Sequence, residues 1–229
     1  MVPALAFAAT AISSLFAQSM LVRYTAAHRP HQRAWAVALM MFALAAVALV
    51  AGVTTGWDRA TFRLFYLFGA VLNVPWLALG TVYLLLGERA GRRSQNVLLL
   101  FTGVATGVLL SAPMHRVGGK TIPVGKDVFG AFPRILAAMG SGVGALVVLA
   151  GALWSAYRAL RTPGASAVRI GRRLAGANAL IAVGTLVLAS GGLIQGTVGH
   201  DEAFTLTLTI GIAVIYAGFR LAPDSSMRA

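Results

Sequence analysis

The chain has 229 residues, 58% hydrophobic and only 11% charged, with a mean hydropathy of +0.80; soluble domains carry charge on about a quarter of their residues, so a bilayer is the expected solvent. A net charge of +13 would suggest nucleic acid in a soluble protein, but here the charges lie between apolar stretches and report topology, so no nucleic-acid partner is expected. The absence of cysteine excludes disulfides, thiolate metal ligation and a cysteine nucleophile.

A hydrocarbon core about 30 Å thick is crossed by roughly 20 helical residues, and seven stretches free of Asp, Glu, Lys and Arg approach or exceed that length. They predict spans at about 2–22, 34–55, 64–86, 96–113, 135–157, 174–195 and 203–219. The first has no basic segment before it, is too long for a signal-peptide core and is followed by Arg23, so it reads as a retained helix. Spans 4 and 5 are joined by 116–134, whose Gly and Pro content suggests a cap or re-entrant hairpin over the bundle mouth. Within it, Gly118-Gly119-Lys120-Thr121 resembles the end of a phosphate-binding loop, but Met114 stands where that motif requires its first Gly, and no strand precedes it.

Charge placement orients the spans. Of the 19 basic residues, thirteen fall after spans 1, 3, 5 and 7, including Arg89, Arg158, Arg161, Arg169, Arg172 and Arg228; only six fall in the other connections. Cytoplasmic connections carry the Lys/Arg excess. The expected fold is therefore an all-α integral membrane protein, one domain with seven transmembrane helices, its N-terminus outside and its C-terminus inside, in a bacterial plasma membrane. Tyr24, Trp35, Tyr83, Trp154, Tyr157 and Tyr216 then fall near the inner interface, and Trp57 and Tyr66 near the outer one.

Two turns resemble each other. Gly56-Trp57-Asp58-Arg59-Ala60-Thr61-Phe62 follows span 2, and Gly199-His200-Asp201-Glu202-Ala203-Phe204 follows span 6; Pro3 and Pro133 open spans 1 and 5. This pattern suggests two parallel three-helix repeats joined by span 4, an arrangement that places transporter sites near midmembrane; the alternative is chance reuse of Gly and Asp in tight turns. Two seven-helix families share the orientation. Retinal proteins need a lysine in the last span, whereas Lys120 and Lys126 are the only lysines, both in a connection. The three-one-three sugar transporters have relatives with a Pro-Gln pair, which this chain lacks. Both resemblances stop at topology.

Polar groups at bilayer depth usually face a bundle interior or a cavity, and Asn73-Val74-Pro75-Trp76 lies at the centre of span 3. Pro75 removes a helix hydrogen bond and predicts a kink there. At helical spacing Arg63, Tyr66, Ala70 and Asn73 share one face, so a cation at the rim and an amide at midplane are expected to line one crevice with Trp76. Partners for it come from spans 6 and 7 in Gln195, Thr205 and Thr209. The alternative is an ordinary proline kink with Asn73 bonded to a neighbouring helix.

His115, His200, Asp201 and Glu202 have the ligand chemistry for a metal ion, or through the histidines for haem, but their spacing does not favour either, and the alternative is a solvated turn capping span 7. The pairs Gly52/Gly56, Gly103/Gly107, Gly140/Gly144 and Gly192/Gly196 predict close helix packing or a homodimer. The inner arginines should attract anionic lipid headgroups. With no acid or histidine deep within a span, catalysis is the least favoured class and no cofactor is expected. The leading expectation is a binding or transport protein for a small solute or lipid near span 3. A non-catalytic scaffold, assembly or sensory subunit is the alternative, and a haem- or metal-binding redox protein is the second.

Overall fold

The computed structural model describes residues 1–161, 165–197 and 200–221. Gly199 and Arg228, the side chains of Arg169 and Arg172, and the surroundings of Gly196 lie outside what is described. The described residues are helical almost throughout: α1 Val2–Ala27, α2 Pro30–Thr55, α3 Arg59–Phe65, a π-helical turn Tyr66–Leu72, α4 Asn73–Ser111, α5 Gly125–Val128, α6 Ala131–Arg161, α7 Ala165–Thr197 and α8 Asp201–Leu221. Six segments are long and apolar enough to cross a membrane, counting α3, the π turn and α4 as one continuous 53-residue unit. This is the helical content of a multi-pass integral membrane protein. Helix ends run past the uncharged windows, because arginine is a good helix former and a charge does not end a helix.

Local chemistry sets the breaks. His28 closes α1 in a left-handed conformation, its N–H on the Tyr24 carbonyl, and Pro30 opens α2. Gly56 ends α2 at φ 106°. Asp58 then caps α3, its carboxylate accepting the Thr61 N–H at 2.8 Å. That bond holds the Asp58 carboxyl below the usual carboxylate range.

The 53-residue segment is not straight. At Gly87 the backbone leaves the helix (φ 81°, ψ −177°), and the chain doubles back on itself. The Tyr83 ring lies against Gly91, its hydroxyl bonds Gln95 at 2.8 Å, and Trp76 Nε1 donates to Thr102 at 3.3 Å. Farther from the bend, Val71 and Leu72 pack with Ala105 and Leu109. Pairs thus separate steadily in sequence with distance from Gly87, as in an antiparallel hairpin.

Around the bundle, α1 packs on α2, α2 on α3, the π turn and α4, α4 on α6, α6 on α7, α7 on α8, and α8 back on α1. The ring of helices is closed. One end is filled by Leu49, Val53, Trp57, Phe62 and Phe204 together with Ile122, Val128 and Phe129 from the connection between α4 and α6; this is the capped end. Toward the other, basic end, Phe16, Met20, Leu39, Ile215 and Phe219 form a second cluster. Large apolar side chains also point outward, among them Leu100, Leu146 and Leu193, each about 70% exposed. Such a surface is untenable in water and natural against acyl chains.

Candidate functional site

The proline at midsegment is preceded by the π turn, so the expected disturbance takes the form of a widened turn over Tyr66–Leu72. Without an N–H, Pro75 cannot bond the Val71 carbonyl. Helix α6 fills the opening. Ser141 donates its hydroxyl to the Ala70 carbonyl, while a Cβ on Gly140 would stand 2.7 Å from the Val71 oxygen and one on Gly144 2.9 Å from the Val74 carbonyl carbon. Gly140 therefore grips the irregular turn directly, and Gly144 the Val74–Pro75 peptide that follows it.

The π turn also divides the predicted polar face. Each residue of a π turn advances the helix by less than the ~100° of an α-helix, so residues on either side of it fall out of register. Arg63 turns to the returning limb, donating from Nε to Leu109 O at 3.1 Å and from Nη2 to Ala112 O at 2.9 Å, where it satisfies carbonyls at that limb's end. Tyr66 packs between Phe62 and Phe129 and lies over Gly125 of the cap. Asn73 sits one turn from Gly69 and two from Gly80, which abut Ala45 and Trp35 of α2, and so faces α2. It is 7% exposed, and its Oδ1 is buried without a hydrogen-bond partner among the described residues. Trp76 faces the returning limb through Thr102. The four residues share a segment but not one crevice.

At the capped end other predicted residues do converge. Ile122, 2% exposed, inserts its side chain into the core, and both of its backbone groups are held. Its N–H donates to Asp201 Oδ2 at 2.8 Å, and its carbonyl accepts from Gln195 Nε2 at 3.2 Å; the same Nε2 donates to Asp201 Oδ1 at 3.2 Å. Thr205, fully buried, donates to the Asp201 carbonyl at 2.8 Å, and Thr209 donates to Leu5 O at 3.0 Å, tying α8 to α1. On the other side, Trp57 N–H bonds Gly119 O at 2.8 Å, and Lys126 reaches Thr197 O at 3.2 Å.

The 112–130 connection is thus a seated plug. Its own hairpin closes where His115 N–H meets Val128 O at 3.0 Å, beside a bridge between Met114 and Phe129. His200 and Glu202 are exposed. Among the described residues no group of three or more His, Asp or Glu side chains is placed to hold a metal ion. Two open depressions of about 330 and 290 Å³ flank the plug, lined in part by Lys120, Thr121 and Asp201 and by Arg116, Thr121 and Asp127; neither reaches Asn73.

Ile122 and Ser141 gave no signal in the sequence. An isoleucine beside Pro123 in a polar connection, and a serine between glycines, acquire their roles only through long-range contact. Comparison with known protein families, curated proteins and solved structures finds no match to this chain.

Proposed function

We propose that the chain crosses the bilayer seven times, with its N-terminus and capped end outside, and binds or carries a small solute or lipid at Asn73 beneath the plug. The limbs 59–86 and 88–111 are roughly 42 and 36 Å long at 1.5 Å per residue, each enough for a ~30 Å core. The arginine excess at the basic end favours the inside for that end. Two three-helix repeats joined by the limb 88–111 gain support from the matched turns, since Trp57 of one and Asp201 of the other hold the same stretch of plug, 119–122.

The observation that carries the binding reading is Asn73 Oδ1. A buried acceptor without a donor costs about 1–3 kcal/mol, and π turns are concentrated at functional sites. A ligand bearing an N–H, an O–H or a cationic group would satisfy that oxygen. Access from the capped end requires release of Ile122, which makes Asp201 and Gln195 the latch.

The test is a thermal-shift panel of amines, polyols, sugars, amino acids and lipids on purified wild type and Asn73→Leu. At least one compound should raise the wild-type melting temperature and leave the variant unmoved. If none does, or if both respond alike, the assignment to Asn73 fails.

One observation favours a membrane scaffold instead. Gly103 and Gly107 lie exposed on the returning limb, and a Cβ on either would meet nothing within 4 Å. Small residues at this spacing admit a helix from a partner. Rapid disulfide cross-linking of Gly103→Cys between copies in native membranes would support that reading, and absence of cross-links would oppose self-association through this face.

A further inference from the structure

We propose that the basic end of α6 carries a binding site for an anionic phospholipid, built from Trp154, Tyr157 and Arg161. The inference goes beyond the solute site at Asn73 and is independent of it.

Along α6 one exposed stripe runs through Met139, Val143, Leu146 and Leu153, all more than half exposed. It ends in Trp154 (55% exposed) and Tyr157 (48%), whose rings lie 6.2 Å apart at 30°. Arg161 then places its guanidinium 4.6 Å from the centre of the Tyr157 ring. The order is apolar, aromatic, cationic. From Trp154 to Arg161 the helix rises ~10 Å, enough to cross the roughly 5–8 Å of interface on one side of the hydrocarbon core. With Trp154 at the top of the acyl chains, Arg161 reaches the phosphate level.

The chemistry selects an anion. A guanidinium laid over an aromatic face keeps its N–H edge free for bidentate phosphate contact. Asn178 Nδ2 donates to Ser155 Oγ at 2.9 Å, a register that brings the exposed Arg173 of α7 level with residue 160. A second cation therefore lies at the same height. Among the described residues of the basic end the one carboxylate is Glu88, which is paired with Arg92 at 2.9 Å. Among the described residues, no acid thus meets the Arg161 guanidinium over Tyr157, and the lipid headgroup is the complementary partner a bilayer supplies.

Trp154 is the reporter. The protein is reconstituted with dibrominated phosphatidylglycerol or dibrominated phosphatidylcholine at equal mole fraction in unlabelled phosphatidylcholine, and the Trp154 emission is taken as the difference from Trp154→Phe. The anionic quencher should be favoured about five-fold per guanidinium engaged. Arg161→Gln should remove that share, Tyr157→Leu should weaken it, and Arg93→Gln, at a different connection, should leave it intact at physiological salt, as a headgroup contact confined to Arg161 requires. Equal quenching of wild type by the two lipids overturns the proposal. So does an Arg93→Gln effect as large as that of Arg161→Gln, which would mean diffuse attraction to the whole basic end. Competition by millimolar inorganic phosphate would also overturn it, because the site would then recognise the free anion.

Discussion

Ser141 on α6 donates its hydroxyl to the carbonyl of Ala70 inside the π turn of the neighbouring segment. Gly140 and Gly144 on the same helix bring backbone to backbone, at the turn and at the Val74–Pro75 peptide just after it, so the irregular stretch is held by contacts that leave no room for a side chain at either glycine. Overpacking at such a contact costs roughly 1–3 kcal/mol. Gly144→Ala should therefore lower the melting temperature in detergent, because its Cβ meets rigid backbone at 2.9 Å. Gly103→Ala should be neutral or stabilising by up to about 1 kcal/mol, since its Cβ meets nothing within 4 Å. Equal effects at the two sites would show that α6 does not pack tightly against the Val74–Pro75 peptide.

The bend at Gly87 separates conformational from steric demand. Gly87 has open space around it but a backbone conformation that side chains rarely adopt, so Gly87→Ala should destabilise by about 1–3 kcal/mol through strain alone. At Gly91 the obstacle is the Tyr83 ring, which a Cβ added there would overlap. Gly91→Ala should be harmful in wild type and nearly harmless in a Tyr83→Ala background. A thermodynamic cycle of the four proteins reads the coupling, and strict additivity would refute the contact.

How much of this is legible in the sequence follows from which interactions are local. Helical spans, the Asp58 cap and the irregularity at Pro75 rest on short-range chemistry, and all can be read from spacing. The single face joining Arg63 to Asn73 cannot, because a π turn is invisible to a 3.6-residue period and swings the later residue away. Gln195 and Thr205 stand out in the sequence for their polarity alone; the plug contact that gathers Gln195 and Asp201 spans more than 70 residues of chain. Gly52 illustrates the same limit, for it accommodates the Trp57 ring of its own turn rather than a second helix.

Asp58 sets the pH response of the first turn at the capped end. Its carboxyl is held below its ordinary value chiefly by the Thr61 backbone N–H. A carboxyl depressed on folding contributes fully above its unfolded pKa and loses that contribution as pH falls through the folded value. Asp58→Ala should thus melt below wild type at neutral pH, with the gap closing in acid, whereas Asp58→Asn, an equally good cap, should keep most of the stability at both. A gap between wild type and Asp58→Ala that does not change with pH would mean that the charge is irrelevant to the cap.

The latch on Ile122 is testable because the chain contains no cysteine. A single Ile122→Cys should react slowly with a polar maleimide, since that side chain is 2% exposed, while Lys120→Cys, at an exposed position, should react fast. Asp201 accepts from two donors at once, the Ile122 N–H and Gln195 Nε2. Asp201→Asn leaves one acceptor and turns an N–H₂ toward a donor, and Asp201→Ala leaves none. Hydrogen bonds to a charged group contribute roughly 1.5–3 kcal/mol, so Ile122→Cys labelling should rise by at least about ten-fold in the Asp201→Ala background, with Asp201→Asn between. Labelling that is fast in the otherwise unaltered protein would show an unseated plug. Labelling that stays slow in both Asp201 variants would place the retaining force in the apolar contacts of Ile122, Val128 and Phe129, and the carboxylate would then be no latch.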